Sequence, residues 1–263
     1  MVQSSRLRVL VVATIVLSLG LATSIAYANH SWGNYHWARA ANPLSLKLGD
    51  NVSAIWDAHL ATASADWSQS LVLDTTVVPG QTNPKNCRAV NGRVEVCDSK
   101  YGNNGWIGIA SIWANGDHIT QGTVKLNNTY FNTAKYNTPA WRNLVLCQEV
   151  GHTFGLDHQD EIFTNPALGT CMDYTNDPTP NQHPNLHDYE MLETLYAHLD
   201  ISTSALSPIP STSANDIDTE NPKEWGKEIR KSANGRTSLH ERDLGQGRKL
   251  FTFVYWADGE HKE

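Results

Sequence analysis

An α+β fold is predicted for this chain: a twisted mixed sheet, one helix carrying chemical groups, and a C-terminal helix. Three observations predict it. Short apolar runs, alternating or continuous, recur between residues 44 and 126 and read as strands. Thr138-Pro139 is a strong helix start, with the hydroxyl as cap and proline at the first helical position. A second helical pattern, Tyr189, Leu192, Leu195 and Leu199, begins near Asn185.

The first 28 residues read as a targeting segment. Arg6 and Arg8 precede an apolar stretch from Val9 to Leu21, and Ala26-Tyr27-Ala28 offers a small-x-small cleavage site. The apolar run is short for a bilayer span of about 20 residues, so cleavage after Ala28 and secretion are expected. Losing Arg6 and Arg8 takes the formal charge from −7 to −9, which argues against nucleic-acid binding. The mature chain, about 235 residues, suffices for one core plus an appendage. It is expected to be monomeric and free of the membrane.

Residues 29–43 are rich in Trp, His, Asn and Tyr without period, and read as an irregular arm. Leu44 to Leu48 alternates as a short strand. Asp50 or Asn51 is placed to cap a helix running to about Ala65, with Ile55, Leu60 and Trp67 on its inner side. Leu71 to Val78 and Arg93 to Cys97 read as strands. Gly105 to Trp113 is a nearly continuous apolar run, suited to a strand buried on both faces. His118 to Leu126 alternates, the pattern of an exposed edge strand. The long helix should run from Pro139 to Phe154, where Gly155 can end it in a left-handed conformation. Residues 201–222, rich in Ser, Thr, Pro and Asn, read as a linker. Beyond them a charged stretch, Lys223 to Arg242, and a strand-like run, Phe251 to Trp256, suggest a small C-terminal extension at 223–263 of unassigned role.

The chemistry concentrates in residues 148–158, Gln-Glu-Val-Gly-His-Thr-Phe-Gly-Leu-Asp-His. Positions four apart share a helix face, so Gln148 and His152 point the same way, with Glu149 at the edge of that face. Once Gly155 ends the helix, the chain can double back and bring His158 toward the same point. Three ligands with one open position are what catalytic zinc needs, because water must bind there and be acidified.

The string resembles the extended zinc signature of the metzincin metallopeptidases, His-Glu-x-x-His-x-x-Gly-x-x-His, with Gln148 in place of the first histidine. Gly169-Thr170-Cys171-Met172-Asp173-Tyr174 is similar to their Met-turn, and the matrixin-like bacterial members look nearest. The resemblance covers roughly residues 44–200 and implies a metzincin-like catalytic domain. It implies His152 and His158 as zinc ligands, Glu149 as the general base that deprotonates zinc-bound water, and Met172 as the Met-turn methionine. Tyr174 falls where some metzincins place a tyrosine that approaches the metal or the oxyanion; plain packing explains it equally well. The strand at 118–126 resembles the edge strand that takes a peptide or protein substrate as an added strand.

Three readings of Gln148 stay open. It ligates Zn2+ through its amide oxygen, a weaker donor than imidazole; or His183, His187, Asp160 or His118 replaces it; or zinc is lost and a peptide-binding pseudo-enzyme remains. The functional expectation is a secreted zinc endopeptidase, with that inactive binding domain as the alternative. His187 reads as a helix-start residue, and His30, His36, His183 and His198 carry no spacing signal. Four cysteines in an exported chain suggest two disulfides, with three pairings possible. A local Cys87–Cys97 clip and a Cys147–Cys171 tie between two parts of the site are favoured. Asn91-Gly92 signals a hairpin turn between the first pair.

Overall fold

The fold is that of a computed structural model, which describes residues 29–206 and 217–259. The leader expected at 1–28 and residues 207–216 of the expected linker lie outside the described residues. The architecture is α+β: a nine-stranded mixed sheet with four helices.

Strands β2 (Leu44–Asn51), β3 (Leu73–Pro79) and β4 (Arg93–Ser99) are parallel to one another, and β6 (His118–Asn127) continues the parallel set beside β4. Strand β5 (Trp106–Asn115) turns back against β6, antiparallel, through the Gly116-Asp117 turn. Two residues of the N-terminal arm, β1 (His36–Trp37), pair with His118 and Ile119 of β6. The sheet does not end at β5. Strands β7 (Lys227–Lys231), β8 (Thr237–Gly245) and β9 (Arg248–Trp256) form an antiparallel ribbon, and β9 runs along the whole of β5, from Trp106 opposite Trp256 to Asn115 opposite Arg248. The full order is β3-β2-β4-β6-β5-β9-β8-β7. Residues expected as an appended element are thus three strands of the same sheet.

Two features correct the sequence reading of this sheet. The segment 118–126 is not an edge: β6 has β4 on one side and β5 on the other, and nearly all of it is buried. Its alternating pattern misled because the polar members, Gln121, Thr123 and Lys125, are buried too, with Lys125 paired to Glu220 at 3.2 Å. Asn91-Gly92 does not turn a hairpin, since β4 pairs with parallel partners and residues 80–92 form a loop. Cys87 reaches Cys97 from that loop, and the second disulfide joins Cys147 to Cys171.

The helices sit where apolar periodicity put them, with one shifted start. Helix α1 (Asp57–Trp67) begins about one and a half turns later than Asp50 or Asn51 would cap it. Asn51 belongs to β2, and its side-chain amide bonds the Glu95 carboxylate. Ile55 therefore precedes the helix and is 51% exposed, while Leu60 and Trp67 are fully buried. A short turn, α2 (Asn128–Phe131), follows β6. Helix α3 (Pro139–His152) starts at Thr138, whose hydroxyl accepts the Trp141 N–H at 3.2 Å. Helix α4 (Leu186–Leu195) is capped by Asn185 in a reciprocal box with Asp188. Helix α3 packs on α1 and against β5 and β6, with Leu144, Val145, Cys147 and Val150 in the main core. The Trp67 indole donates to the Cys147 carbonyl at 3.2 Å and joins the two helices.

Replacing Trp67 by alanine should lower the unfolding free energy by about 3–5 kcal/mol, the range for a buried aromatic truncated to a cavity. Ile55→Ala, at an exposed position, should change it by less than about 0.5 kcal/mol. Urea titrations of the two variants check the contrast.

Candidate active site

The C-terminal end of α3 is the organising point. Thr153, Phe154 and Gly155 make tight last-turn bonds to Val150, Gly151 and His152 at 3.0, 3.0 and 3.1 Å. Gly155 then takes φ +100°, where a Cβ would stand 2.2 Å from the Tyr35 carbonyl oxygen. Only glycine fits there. The chain doubles back, and the His158 ring lies edge-on to the His152 ring with centroids 4.5 Å apart. So the structure brings together the two histidines that the 148–158 string anticipates.

His152 is fully buried. Its Nδ1–H donates to the Leu156 carbonyl at 2.9 Å, which leaves Nε2 as the lone-pair nitrogen. Burial, reinforced by the neighbouring His158, pushes its pKa well below the usual histidine value, so the ring is neutral and competent as a ligand. His158 offers Nδ1 to Asp157 at 3.3 Å and to Glu161 at 3.7 Å, and its Nε2 meets the Tyr174 hydroxyl at 2.6 Å.

Gln148 and Glu149, on the same helix, are buried as well. The Gln148 amide N–H donates to the Cys171 carbonyl at 2.8 Å, leaving its Oε1 buried with no partner among the described residues. Glu149 receives one backbone N–H, from Ala110 of β5, and its Oε2 has no partner among the described residues. Burial pushes this carboxyl well above the ordinary glutamate range despite the Ala110 bond. It lies so close to β5 that a Cβ at Gly108 would be 2.8 Å from Glu149 Oε1.

Met172 is buried beneath the helix, its sulfur 2.7 Å from the place a Cβ on Gly151 would occupy. The loop that carries it is held by Gln159 N–H to the Met172 carbonyl at 2.7 Å and by the Cys147–Cys171 link. Tyr174 tilts over His158 at 4.0 Å between ring centroids and stacks on Phe163 at 4.9 Å.

The other candidate ligands are engaged elsewhere. His183 pairs with Asp66 at 2.6 Å, His187 lies against His30 with centroids 4.7 Å apart, and His118 meets Asp200 at 3.1 Å. Asp160 accepts from Ile162 N–H and Asn165. Each of these side chains has its partner outside residues 148–158.

Nothing in residues 148–174 signals what covers the site. Phe253 of β9 stacks flat on His152, with centroids 4.0 Å apart and planes 11° from parallel. Tyr255 packs edge-on against Tyr174 at 5.6 Å, and Thr237 of β8 hydrogen-bonds the Tyr174 hydroxyl. Arg230 of β7 grips both oxygens of Asp157 and reaches Glu161 at 3.1 Å. Burial opposes ionisation of Asp157, but its bonds to His158 and Arg230 prevail and hold it well below the usual carboxylate range. The crevice between Tyr174, Phe253 and this ribbon has no room for a water molecule. The alternation Phe251, Phe253, Tyr255 was the available signal; which strand it would pair with was not.

Gly155→Ala should destabilise the protein by about 1–3 kcal/mol, because a non-glycine residue there is strained and meets backbone. Gly169→Ala, also at positive φ but with open space around its Cβ, should cost about 1 kcal/mol or less. Thermal unfolding of both variants checks the ranking. Set against known proteins, the chain matches no family model and no curated protein.

Proposed function

We propose that the chain is an exported zinc-dependent endopeptidase of metzincin type, covered in this conformation by its own C-terminal strands. One observation carries this reading: His152 and His158 converge at the end of the helix that also buries Gln148 and Glu149, each with a side-chain oxygen left without a partner among the described residues. Orphaned buried polar atoms are costly, and a divalent cation would satisfy the Gln148 oxygen. Two imidazole nitrogens and an amide oxygen form an acceptable zinc donor set that leaves a fourth position open. The two disulfides fit export, and among the described residues no helix is long and apolar enough to cross a membrane.

Bound zinc would supply a polarised substrate carbonyl and an acidified water. In this chain Leu156 fixes the His152 ring so that Nε2 would be the ligating nitrogen. Gln148 would ligate through Oε1 while its amide N–H stays on the Cys171 carbonyl. Glu149 would take the proton from the attacking water and later deliver it to the leaving amine. The nearby cation would favour the carboxylate form that burial now disfavours. Tyr174 would release His158 Nε2 and donate its hydroxyl to the developing oxyanion.

An added substrate strand cannot use β6, which lies inside the sheet. The strand edge nearest Glu149 is that of β5, and β9 already occupies it. Catalysis thus requires the ribbon β7–β9 to yield. A second reading, an inactive peptide-binding domain, draws on the same contact of Phe253 with His152 and on the glutamine at 148.

Chelator-sensitive cleavage of an unfolded protein separates the two. Phe253→Ala should raise turnover several-fold over the parent chain, and adding Glu149→Ala should abolish it. Zinc-loaded parent and Phe253→Ala proteins that both fail to cleave would sink the enzyme reading. Gln148→His should tighten zinc at this site by roughly 10–100-fold, the scale on which changes around a metal act. Competitive chelation measures it, and an unchanged affinity would place the third ligand elsewhere.

A further inference from the structure

A second cluster of nitrogen and oxygen donors lies apart from the 148–158 site. It gathers His36 from β1 and His198 from the chain after α4, which carry no spacing signal in the sequence, with Asp200 close behind His198 and His118 at the start of β6. His36 Nε2 and His198 Nε2 face each other at 3.2 Å. His198 Nε2 is 3.6 Å from Asp200 Oδ1, and His36 Nε2 is 3.7 Å from Asp200 Oδ2. One donor atom from each of these three residues lies within 4.8 Å of the others.

The separation of the two imidazole nitrogens is close to the edge of a tetrahedron around zinc, about 3.3 Å for metal–ligand bonds of about 2.0–2.1 Å, and each nitrogen has one oxygen of the same carboxylate within 3.7 Å. Two of the donors, His36 and Asp200, are also held in ligand-competent states, while His198, whose Nε2–H faces the His36 lone pair, would ligate as its other tautomer. His36 Nδ1–H donates to the Asn34 carbonyl at 2.7 Å, so its lone pair sits on the Nε2 that faces the cluster. Asp200 Oδ2 accepts the Arg39 backbone N–H at 2.9 Å, and Oδ1 accepts from His118 Nε2 at 3.1 Å. Each carboxylate oxygen keeps a further lone pair. His118 therefore plays the outer part, orienting the carboxylate as partners around metal sites do. Beside the cluster lies a cavity of about 570 Å³, lined by His36, His118 and His198 together with Asn29, Met191 and Thr194.

We propose that His36, His198 and Asp200 form a second binding site for a divalent transition cation of the zinc class, with His118 positioning Asp200 and the fourth coordination position open to the cavity. Such an ion would staple the N-terminal arm to the segment after α4. The arm already clasps that segment through Asp200 N–H to the Arg39 carbonyl at 2.7 Å and Ser204 N–H to the Ala38 carbonyl at 2.9 Å. The metal would then add stability in proportion to its saturation. This site is independent of the proposed peptidase centre and survives if that reading fails.

Equilibrium dialysis with zinc alone, on the mature parent protein and on His198→Ala, tests it. His198 is more than half exposed, so its removal should leave the fold intact by circular dichroism. The parent should hold one more zinc equivalent than His198→Ala, and zinc should raise the parent's Tm by several degrees more than the variant's. The same difference should persist in a His152→Ala background, which removes the other proposed zinc. Equal zinc content and equal zinc-induced Tm shifts in parent and His198→Ala would overturn the proposal, whatever the peptidase assay gives.

Discussion

The reversal at Gly155 is the joint on which the rest of the molecule depends. A helix end leaves its last carbonyls without intrahelical partners, and these are buried, so other parts of the chain must supply donors. The Trp32 indole donates to the His152 carbonyl at 3.1 Å, the Trp37 indole to Thr153 at 2.8 Å, and the Tyr196 hydroxyl to Phe154 at 2.9 Å. Trp32 N–H reaches the Gly155 carbonyl itself at 3.2 Å. The N-terminal arm and the end of α4 are thus drawn to one spot by unsatisfied backbone oxygens. The same turn sets His158 against His152. A side chain at position 155 would disturb the donor network and the candidate ligands together.

Around that joint the charges are arranged in opposition. Glu149 and His152 are so deeply buried that their neutral forms prevail, while Asp157 is held ionised by Arg230 and His158. Arg230 comes from β7, so the ribbon that covers the site is also its electrostatic counterweight. The ribbon's hold combines a long antiparallel ladder on β5, aromatic stacking on His152 and this ion pair. Its release would expose a strand edge and a hydrophobic face at the same time.

Local residue chemistry made much of this legible. The cap at Thr138, the stop at Gly155 and the helix start near Asn185 depend on contacts a few residues apart, and they lie where the sequence put them. The meeting of His152 and His158 is legible for the same reason, because a helical turn and one glycine decide it. Where the sequence misled, the deciding contact was remote. The alternation at 118–126 says that two faces differ, but not that the face bearing Lys125 is buried by Glu220 some 95 residues away. Asn51 is a good cap in isolation, yet a buried bond to Glu95 keeps it in β2.

By itself, then, the sequence determined the α+β class, the helix that carries Gln148, Glu149 and His152, the return of His158 and the two disulfide pairs it favoured. Only the tertiary structure decided that β9 would pair with β5 and lay Phe253 over His152, and that His36, His198 and Asp200 would meet. The physical reason is separation along the chain. Helix caps and turns are fixed by neighbours whose identity is written beside them. Strand partners and ligand clusters assembled from distant segments are selected by the burial and polar pairing of the whole fold.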